Sequence, residues 1–406
     1  MNTYFQLAWR NVWRNKRRTI ITAASVFFGV LLSAVMTSMQ EGSYAQYIKT
    51  IVNSYSGDLQ IHKTGYSDDK VIKNAFVLQP EIITKVKTQK QVTAISPRLE
   101  TFAMVSGTEL SKNVMILGIQ PSTEDEITHL SRKIVSGTML SDDDNAVMTG
   151  STLARYMKLE AGDTLMLIGQ DFKGLPVVAH FPVKAIVKQA SPELDRSAVY
   201  MSVKACQHFL NMPDRITSLV VMTAHNEDVA GAGKSLRSTL GSGFEVEDWK
   251  AMNRILLTQI ESDRASGAII KGILYLIIAF GIFGTTMMMT LERRKEFGVL
   301  MAVGMKKYKL SMMLLFETVL IGLLGSLAGI LGSLPIVWYY VEHPIRLTGQ
   351  AADSMTQMDF EPVMLFCTEP SIFYTQALII LCFSLLIGFY PMLHVRKLKV
   401  NKALRS

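Results

Sequence analysis

The 406-residue chain has little of what most catalytic and metal sites are built from. Its three cysteines, Cys206, Cys367 and Cys382, are too few for a disulfide framework, and their spacing fits no zinc pattern. The seven histidines are scattered, and neither H-E-x-x-H nor G-x-S-x-G occurs. Low-complexity tracts are missing too. These absences argue against zinc hydrolases, serine esterases, disulfide-rich secreted domains and disordered chains, and we predict that the chain is not itself an enzyme.

What the chain has in quantity is apolar residues gathered into long runs, with a mean hydropathy of +0.23. They predict transmembrane helices at Ile20–Met39, Gly272–Leu291, Leu310–Val341 and Tyr374–Leu393. About 20 such residues, rising about 1.5 Å each, cross a bilayer core of about 30 Å. A cleaved signal peptide is the alternative for the first run, but that run is too long and no clean small-residue cleavage site closes it. We therefore expect a membrane protein with a retained first helix.

Basic residues are concentrated beside these runs. The segments 1–19, 292–309 and 394–406 together hold 16 Lys and Arg against 2 Asp and Glu, whereas the rest of the chain holds 26 against 32. The positive-inside rule therefore predicts a protein of the cytoplasmic (inner) membrane with both termini in the cytoplasm. Such basic segments favour lipid headgroups and a partner at the inner face over nucleic acid.

The predicted fold is an α-helical membrane protein in which a large α/β extracytoplasmic domain separates one transmembrane helix from three others. The predicted order is a cytoplasmic interfacial amphipathic helix (1–19), transmembrane helix 1 (20–39), the extracytoplasmic (periplasmic) domain (40–271), transmembrane helix 2 (272–291), a cytoplasmic helix (292–309), transmembrane helix 3 (310–341), an extracytoplasmic loop (342–373), transmembrane helix 4 (374–393) and a cytoplasmic basic tail (394–406).

Short β-branched or alternating runs predict the strands of the domain at 40–271. They are Leu59–His62, Val92–Ser96, Phe102–Ser106, Val114–Gly118, Ala146–Met148, Thr164–Ile168, Val177–Lys188, Ala198–Ser202 and Leu219–Thr223. Helical patterns cover Ser151–Leu159, Val203–Asn211, Asp228–Leu240 and, beside the membrane, Glu41–Ser56 and Glu247–Gly267. The last two either carry motion into the domain or extend only for packing. We hypothesise that residues 99–195 form a central lobe inserted into a second lobe.

Two polar features of the domain resemble functional sites but are predicted not to be. Asp228–Ser235 matches G-x-x-x-x-G-K-[ST] except for its first glycine, and an acid at that position repels phosphate, so we predict a polar helix start. The acidic clusters Glu124–Glu126 and Asp142–Asp144 are typical of solvated loops.

Small residues and one acid mark the predicted membrane helices. Gly322, Gly325, Gly329 and Gly332 share one helix face, and Ser25, Gly29 and Ser33 form a second row. Such rows favour close helix packing, either within one chain or across a dimer. Glu317 lies inside the third run, where an acid is costly, so we expect it to pair with a basic residue.

Two amphipathic segments flank the membrane. Phe5, Trp9, Val12 and Trp13 share a face of the N-terminal segment, which predicts a helix on the inner leaflet. The connection 292–309 carries an apolar stripe of Phe297, Leu300, Met301 and Gly304, which is expected either to lie on lipid or to dock in a partner's groove.

This last segment carries a family resemblance. Residues 294–304, Arg-Lys-Glu-Phe-Gly-Val-Leu-Met-Ala-Val-Gly, resemble the R-x-E-[IF]-G-[IV]-L-x-A-x-G coupling segment of MacB/LolC/LolE/FtsX-type ABC transporter permeases. Residues 316–329, with an acid and repeated glycines, are similar to the third span of that superfamily. Residues 8–19, Pro391 and the end Lys402–Arg405 also fit, whereas Met301 and Val400 depart from the pattern.

The resemblance implies a permease subunit that works by mechanotransmission and moves nothing through its membrane section. It implies a dimer with a second copy or a paralogue, and a separate cytoplasmic ABC ATPase that binds ATP and magnesium, while this chain binds no cofactor directly. The implied ATPase-coupling residues are Arg294, Glu296, Phe297, Gly298, Leu300, Ala302 and Gly304.

The segment Ser56–Tyr66 is similar to the region after the first span in LolE-type permeases. That similarity implies release of lipoproteins from the inner membrane toward an outer membrane, with a lipoprotein cargo and a periplasmic carrier as partners. Two alternatives remain: export of a drug or peptide by a MacB-like system, and FtsX-like regulatory coupling to an outer partner. The residues that would bind cargo are not indicated by the sequence.

Overall fold

The computed structural model describes residues 2–14, 16–107, 110–225, 227–350, 352–353 and 362–397, so the end of the basic tail, with Val400 and Lys402–Arg405, lies outside the described residues. The chain divides into two compact units. We call them the membrane unit (up to residue 45, 259–346, and from 363 onward) and the inserted domain (46–258 and 347–362).

Thirteen α-helices are described. They are α1 Asn2–Arg14, α2 Lys16–Ile51, α3 Pro80–Lys87, α4 Pro121–Thr128, α5 Ser151–Met157, α6 Pro192–Ser197, α7 Val203–Phe209, α8 Asp228–Leu240, α9 Trp249–Met252, α10 Arg254–Glu292, α11 Arg294–Ala302, α12 Lys307–Glu342 and α13 Pro370–Lys397. Of these, α2, α10, α12 and α13 are long and apolar enough to cross a membrane. Because the larger segment of the inserted domain, 46–258, is α/β and lies between the first and second of them along the chain, the predicted fold class is confirmed.

Glycine contacts hold the long helices of the membrane unit together. A Cβ atom added to Gly325 of α12 would lie 2.7 Å from the Cβ of Val26 on α2, and one added to Gly329 would lie 2.8 Å from the carbonyl oxygen of Phe27. Gly332 faces Phe27 and Leu31 of α2 in the same way. These three glycines therefore let α12 approach the backbone of α2.

The other small residues divide between different neighbours. Gly322 faces Ser384 of α13, and Gly29 of α2 faces Ile278 of α10. Ser33 and Tyr275 of α10 share a hydrogen bond of 2.9 Å. Ser25 is exposed and donates to the carbonyl oxygen of Ile21 in its own helix, 3.0 Å away, so it does not belong to the packed row with Gly29 and Ser33. Because an α-helix has 3.6 residues per turn, residues spaced by four do not lie directly above one another, and the first and last of three such residues face different directions.

The inserted domain is built on one mixed sheet. Its strands are β1 Leu59–Lys63, β2 Phe76–Val77, β3 Val92–Ser106, β4 Ser111–Ile119, β5 Ile134–Gly137, β6 Val147–Gly150, β7 Thr164–Gln170, β8 Pro176–Val187, β9 Ala198–Ser202, β10 Arg215–Ile216, β11 Ser218–Thr223 and β12 Phe244–Asp248, whereas the paired strands β13 Ile345–Arg346 and β14 Val363–Met364 belong to the membrane unit. Ten of them follow the order β12-β1-β11-β3-β4-β9-β6-β8-β5, with β7 paired to β3 and β8. The pairs β4–β9 and β6–β8 are parallel.

The sheet corrects three sequence predictions. The predicted strands Val92–Ser96 and Phe102–Ser106 form one strand, β3, which also crosses the lobe boundary hypothesised at residue 99. The predicted helix Glu247–Gly267 begins too early, because β12 pairs with β1 as far as Asp248. Asp248 then caps α9 by accepting from the backbone nitrogen of Ala251 at 2.8 Å, and Asn253 separates α9 from α10. Helices α3, α4 and α6, each begun by a proline, are not among the predicted elements.

A buried arginine joins the end of the first long helix to this sheet. After Ile51 the helix continues as a π-helical turn, Val52–Ser56, closed by a 2.9 Å hydrogen bond from the backbone nitrogen of Gly57 to the carbonyl oxygen of Val52. Arg98 of β3 donates to the carbonyl oxygen of Tyr55. The hydroxyl of Tyr55 donates to Glu100, 2.8 Å away. A cation on the terminal carbonyls also complements the helix dipole.

Glu124 completes this junction. Its carboxylate accepts from Nε of Arg98 at 3.0 Å and from Nη2 at 2.6 Å, and both side chains are buried. The prediction that Glu124–Glu126 only coat a solvated loop is therefore wrong for Glu124, since an acid on α4 is needed to neutralise a buried guanidinium. Asp228 does begin a helix, α8, as the sequence indicates.

We expect Arg98→Met to lower the free energy of unfolding of the inserted domain by about 3–5 kcal/mol, because it leaves Glu124 buried without a counter-charge. The double variant Arg98→Met/Glu124→Leu should recover more than half of that loss. Unfolding midpoints of the detergent-solubilised protein measure both. The matched exposed pair gives the control: Lys204→Met removes the partner of Asp143 and should leave the unfolding midpoint nearly unchanged. Equal losses at the buried and exposed pairs would show that Arg98 and Glu124 are not a coupled pair.

Gly325→Leu should lower the thermal stability and the yield of the membrane unit, because overpacking typically costs about 1–3 kcal/mol and here the new side chain meets backbone. Gly284→Leu on α10 is the matched control, since a Cβ atom there meets nothing within 4 Å. Melting temperatures of the two purified variants are compared. Identical melting temperatures would mean that the contact between α2 and α12 is not as close as described.

Candidate functional site

The segment with the family resemblance forms a short, separate helix. α11 runs from Arg294 to Ala302, so the predicted helix over 292–309 is wrong in its bounds: Glu292 ends α10 and Lys307 begins α12. Gly304 stops α11 with a φ of +99°, where its nitrogen donates to the carbonyl oxygen of Met301 at 3.1 Å and that of Met305 donates to Leu300 at 2.9 Å. This pair of bonds is a Schellman motif, which requires the left-handed conformation that glycine adopts without strain.

The apolar stripe of α11 points into the protein. Phe297 is fully buried, and Leu300, Met301 and Met305 are partly buried around it. Its neighbours in this cluster are Leu310, Met313 and Leu314 of α12 and Val395 of α13. The stripe predicted to lie on lipid or in a partner's groove is therefore the anchor that fixes α11 against its own chain, and Phe297 and Gly298 are supporting residues.

A chain of alternating charges holds the start of α11. Arg14 of α1 donates to Glu296 at 2.5 Å, and Arg293 donates to the same carboxylate at 3.2 Å. Arg293 also donates to both carboxylate oxygens of Glu317 on α12, at 3.1 and 3.2 Å. Its guanidinium carbon lies 5.3 Å from the ring centroid of Phe297. Arg293 is thus the basic residue that pairs with the acid inside α12.

The charges in this chain differ in their exposure. Arg14 and Glu296 are exposed, whereas Arg293 and Glu317 are buried. Burial acts to raise the pKa of the Glu296 carboxyl, but the hydrogen bonds from Arg14 and Arg293 outweigh it and hold that pKa below its ordinary value. Glu296 therefore stays ionised under neutral conditions and continues to bridge the two arginines.

The opposite face of α11 is exposed and partly apolar. Val299 is 51% exposed and Val303 is 84% exposed. Lys295 and Ala302 share this exposure. Of the predicted coupling residues, Ala302 and Gly304 are exposed, whereas Arg294 and Leu300 are half-buried. Val299 and Val303 were not among the predicted residues, although their i, i+4 spacing, with valines on the face opposite Phe297, is the signal that indicates them.

The N-terminal helix packs beside this site. Ala8 and Val12 of α1 are buried, and Val12 contacts Met289 of α10 and Ile321 of α12. Trp9 and Trp13 are exposed, with ring centroids 6.0 Å apart, while the side chain of Phe5 lies outside the described residues. The prediction of one lipid-facing row is therefore wrong for Val12, because Val12 packs against the long helices of its own chain.

Within the described part of the chain, no group of three or more His, Cys, Asp or Glu side chains is placed to hold a metal ion. The site has instead the composition of a docking element: a rigidly anchored helix with an exposed face of small apolar side chains, bordered by lysines.

Comparison with known proteins gives two family matches. Residues 19–239, more than half of the chain, match the MacB-like periplasmic core domain, and residues 268–400 match the FtsX-like permease C-terminal family. The lipoprotein-releasing system transmembrane protein LolC of Xylella fastidiosa is 22% identical over 259 residues, which cover 62% of each chain. The macrolide export ATP-binding/permease protein MacB of Sodalis glossinidius is 23% identical over 407 residues, covering 97% of this chain and 59% of that one.

The aligned regions thus span about three fifths of the length of these two curated relatives. Among solved structures, the periplasmic region of MacB from Actinobacillus actinomycetemcomitans is 15% identical and overlaps with a TM-score of 0.36, over 52% of this chain and 97% of that chain. The chain thus has four long apolar helices and an inserted α/β domain, and two family matches follow one another along its sequence. The chain belongs to the MacB/LolC/FtsX family of ABC transporter permeases.

Proposed function

We propose that this permease is the membrane subunit of a mechanotransmission transporter, driven by an ABC ATPase on a separate chain. The observation that carries the proposal is α11, which Phe297 anchors inward while Val299 and Val303 remain exposed. A short helix with such an exposed face fits the groove of a partner. ATP and magnesium would be bound by the ATPase, and the permease itself would need no cofactor.

The orientation and assembly are part of this proposal. Both termini and α11 would lie in the cytoplasm of an inner-membrane protein and the inserted domain on the other side, and the basic segments support this orientation through the positive-inside rule. A second copy of the chain, or a paralogue, would complete a dimer, because closing and opening of an ATPase pair needs two permease subunits to act on. Membrane lipids would surround the long helices.

The route for motion follows from the helices themselves. At the end of α2, Arg98 and Glu100 bind the π-helical turn to strand β3. A displacement of α2 would therefore be passed to the sheet through hydrogen bonds rather than through a flexible linker.

For the cargo, we propose lipoproteins extracted from the inner membrane and passed to a periplasmic carrier, with LolC as the supporting relative. The LolE-like segment Ser56–Tyr66 supports the fold more than the cargo. Its Asp58 accepts from the nitrogen of Thr223 at 2.8 Å, and its His62 stacks on Tyr66 with centroids 4.6 Å apart. These buried contacts belong to the packing of the helix-to-sheet junction.

MacB-like export is the second candidate, because the alignment with the macrolide export protein covers nearly the whole chain, whereas that with LolC covers less of it. FtsX-like coupling to an outer regulatory partner is compatible with the same membrane unit, which matches the FtsX-like family at residues 268–400.

We expect Val303→Asp to abolish co-purification of the ATPase subunit, because it places a charge at the centre of the exposed apolar face. The fold should be kept, since exposed substitutions usually change stability by less than about 0.5 kcal/mol. Val135→Asp, at an exposed valine of β5, is the control and should leave the complex intact. An ATPase that co-purifies equally with both variants would exclude this face of α11 as the docking surface.

Depletion of the protein should make a tagged outer-membrane lipoprotein accumulate in the inner membrane before viability falls. Membrane fractionation and immunoblotting measure the distribution. Re-expression of the unchanged chain should restore sorting, whereas Val303→Asp should not. Normal sorting throughout depletion, together with lost resistance to an exported compound, would replace lipoprotein release by MacB-like export.

A further inference from the structure

Helix α1 has an exposed side that the proposed coupling mechanism does not use. Ala8 and Val12 are buried, and Val12 packs on α10 and α12. Trp9, Arg10 and Trp13 are exposed. Because successive residues of a helix are rotated by about 100°, the buried pair and the exposed three lie on different sides of α1. The chain therefore covers one side of this helix and leaves the other, with its two indole rings, open to the surroundings.

Two basic residues of this region are paired within the chain. Arg14 donates to Glu296 near the start of α11, and Arg18 of α2 donates to Glu292 at the end of α10. These ion pairs hold α1 and the first turn of α2 beside α11. The charges of both arginines are therefore already met by carboxylates.

Three other cations of the same region have no carboxylate partner. Arg10, Lys16 and Arg17 are exposed, and within the described part of the chain no hydrogen bond or ion pair engages their side chains. Glu41 is the first acid of the sequence, so neither α1 nor the first turns of α2 contain a residue that neutralises them. Three positive charges are thus left for an anion outside the chain.

Exposed indole rings beside unpaired cations are typical of a membrane boundary. The ring centroids of Trp9 and Trp13 lie 6.0 Å apart. Indoles lie preferentially where acyl chains meet headgroups, and basic side chains near that level attract anionic lipids. A soluble anion would account for the cations alone, whereas a phospholipid supplies an acyl region for the rings and a phosphate for the cations.

We propose that this side of α1, together with the first turn of α2, binds the headgroups of anionic phospholipids. The rings lie at the base of the headgroup layer, and the phosphodiesters accept from Arg10, Lys16 and Arg17. A guanidinium binds phosphate through two parallel N–H donors. A zwitterionic lipid has the same phosphate but adds a quaternary ammonium that the three cations repel, so the surface distinguishes headgroups by their charge.

This lipid surface is continuous with the residues that hold α11. Arg14 follows Arg10 by one helical turn and binds Glu296, so the lipid contact acts on the helix that holds the start of α11. The inference adds a lipid requirement to the proposed function, but the recognition of lipid charge depends neither on the ATPase nor on the cargo.

The test uses the full chain in nanodiscs and its tryptophan fluorescence. Of the four tryptophans, Trp249→Phe/Trp338→Phe leaves only Trp9 and Trp13 as reporters. The nanodiscs contain equal amounts of phosphatidylcholine and phosphatidylglycerol, one of them brominated in the upper part of an acyl chain so that it quenches nearby indoles. We expect brominated phosphatidylglycerol to quench the reporters at least twofold more than brominated phosphatidylcholine. Equal quenching by the two lipids would overturn the proposal.

Matched variants separate this surface from the general attraction of a basic protein. Arg10→Gln/Arg17→Gln in the reporter chain should bring the quenching ratio close to one. Lys295→Gln/Lys306→Gln removes the same charge from exposed lysines elsewhere in the membrane unit and should keep the ratio. An equal loss in both variants would show that the cations of α1 have no particular role. All four residues are exposed, so melting temperatures should change little.

A second reporter tests whether the preference is local. Trp9→Phe/Trp13→Phe/Trp249→Phe leaves Trp338, which is 69% exposed near the other end of α12. The two brominated lipids should quench it equally, and the same preference there would overturn the assignment to α1.

Replacement of chloride by phosphate at constant ionic strength should leave the ratio at Trp9 and Trp13 unchanged. Loss of the preference would instead assign the cations to free phosphate. None of these measurements involves the ATPase or a lipoprotein, so a failure here is distinguishable from a failure of the proposed function.

Discussion

The ion pair between Arg293 and Glu317 determines the arrangement of the membrane unit around α11. A carboxylate inside an apolar helix is costly, and removing its partner leaves a buried charge that typically costs about 3–5 kcal/mol. Arg293 meets this need with two hydrogen bonds, and it also contacts Glu296 and the ring of Phe297. One guanidinium thereby joins the end of α10 to both α11 and α12, and the face that α11 exposes follows from that connection.

A second buried guanidinium has the same role in the inserted domain. Arg98 binds Glu124 through two donors and the carbonyl oxygen of Tyr55 through a third. In both places an arginine links elements that are distant along the chain, and its planar fork fixes their relative orientation as a hydrophobic contact would not. Each of the two units is therefore held by directional interactions centred on one buried arginine.

The sequence predicts the parts of this protein that depend on local pattern. The four apolar helices contain the predicted spans, and most strands of the inserted domain were found from their alternation and β-branched residues. The wrong predictions concern residues whose conformation depends on a partner that is distant along the chain. Arg98 and Glu100 look like a break between two strands, yet they lie within β3, because Glu124 and Tyr55 satisfy them.

The same limit applies to the candidate site. An acid within an apolar run predicts that a base must be near, but not that the base is Arg293. The stripe around Phe297 predicts an amphipathic helix without indicating whether its apolar side faces lipid, a partner or the chain itself. The packing of Phe297 against Leu310 and Val395 shows that this apolar side faces the chain itself. The exposed face of α11 is therefore the one that carries Val299 and Val303. The sequence indicates even less about the cargo, because the side chains of the LolE-like segment make contacts that stabilise the fold.

The π-helical turn at Val52–Ser56 gives the length of the first helix a particular significance. A hydrogen bond from Gly57 back to Val52 spans five residues where an α-helix spans four, so the turn accommodates one additional residue. Each residue of an α-helix advances by about 100°, and the insertion therefore sets the angular phase at which the helix ends. At that phase Tyr55 presents its hydroxyl to Glu100 and its carbonyl oxygen to Arg98. Removal of one residue from this turn would present a different side chain to the sheet, so the number of residues here matters as much as their identity.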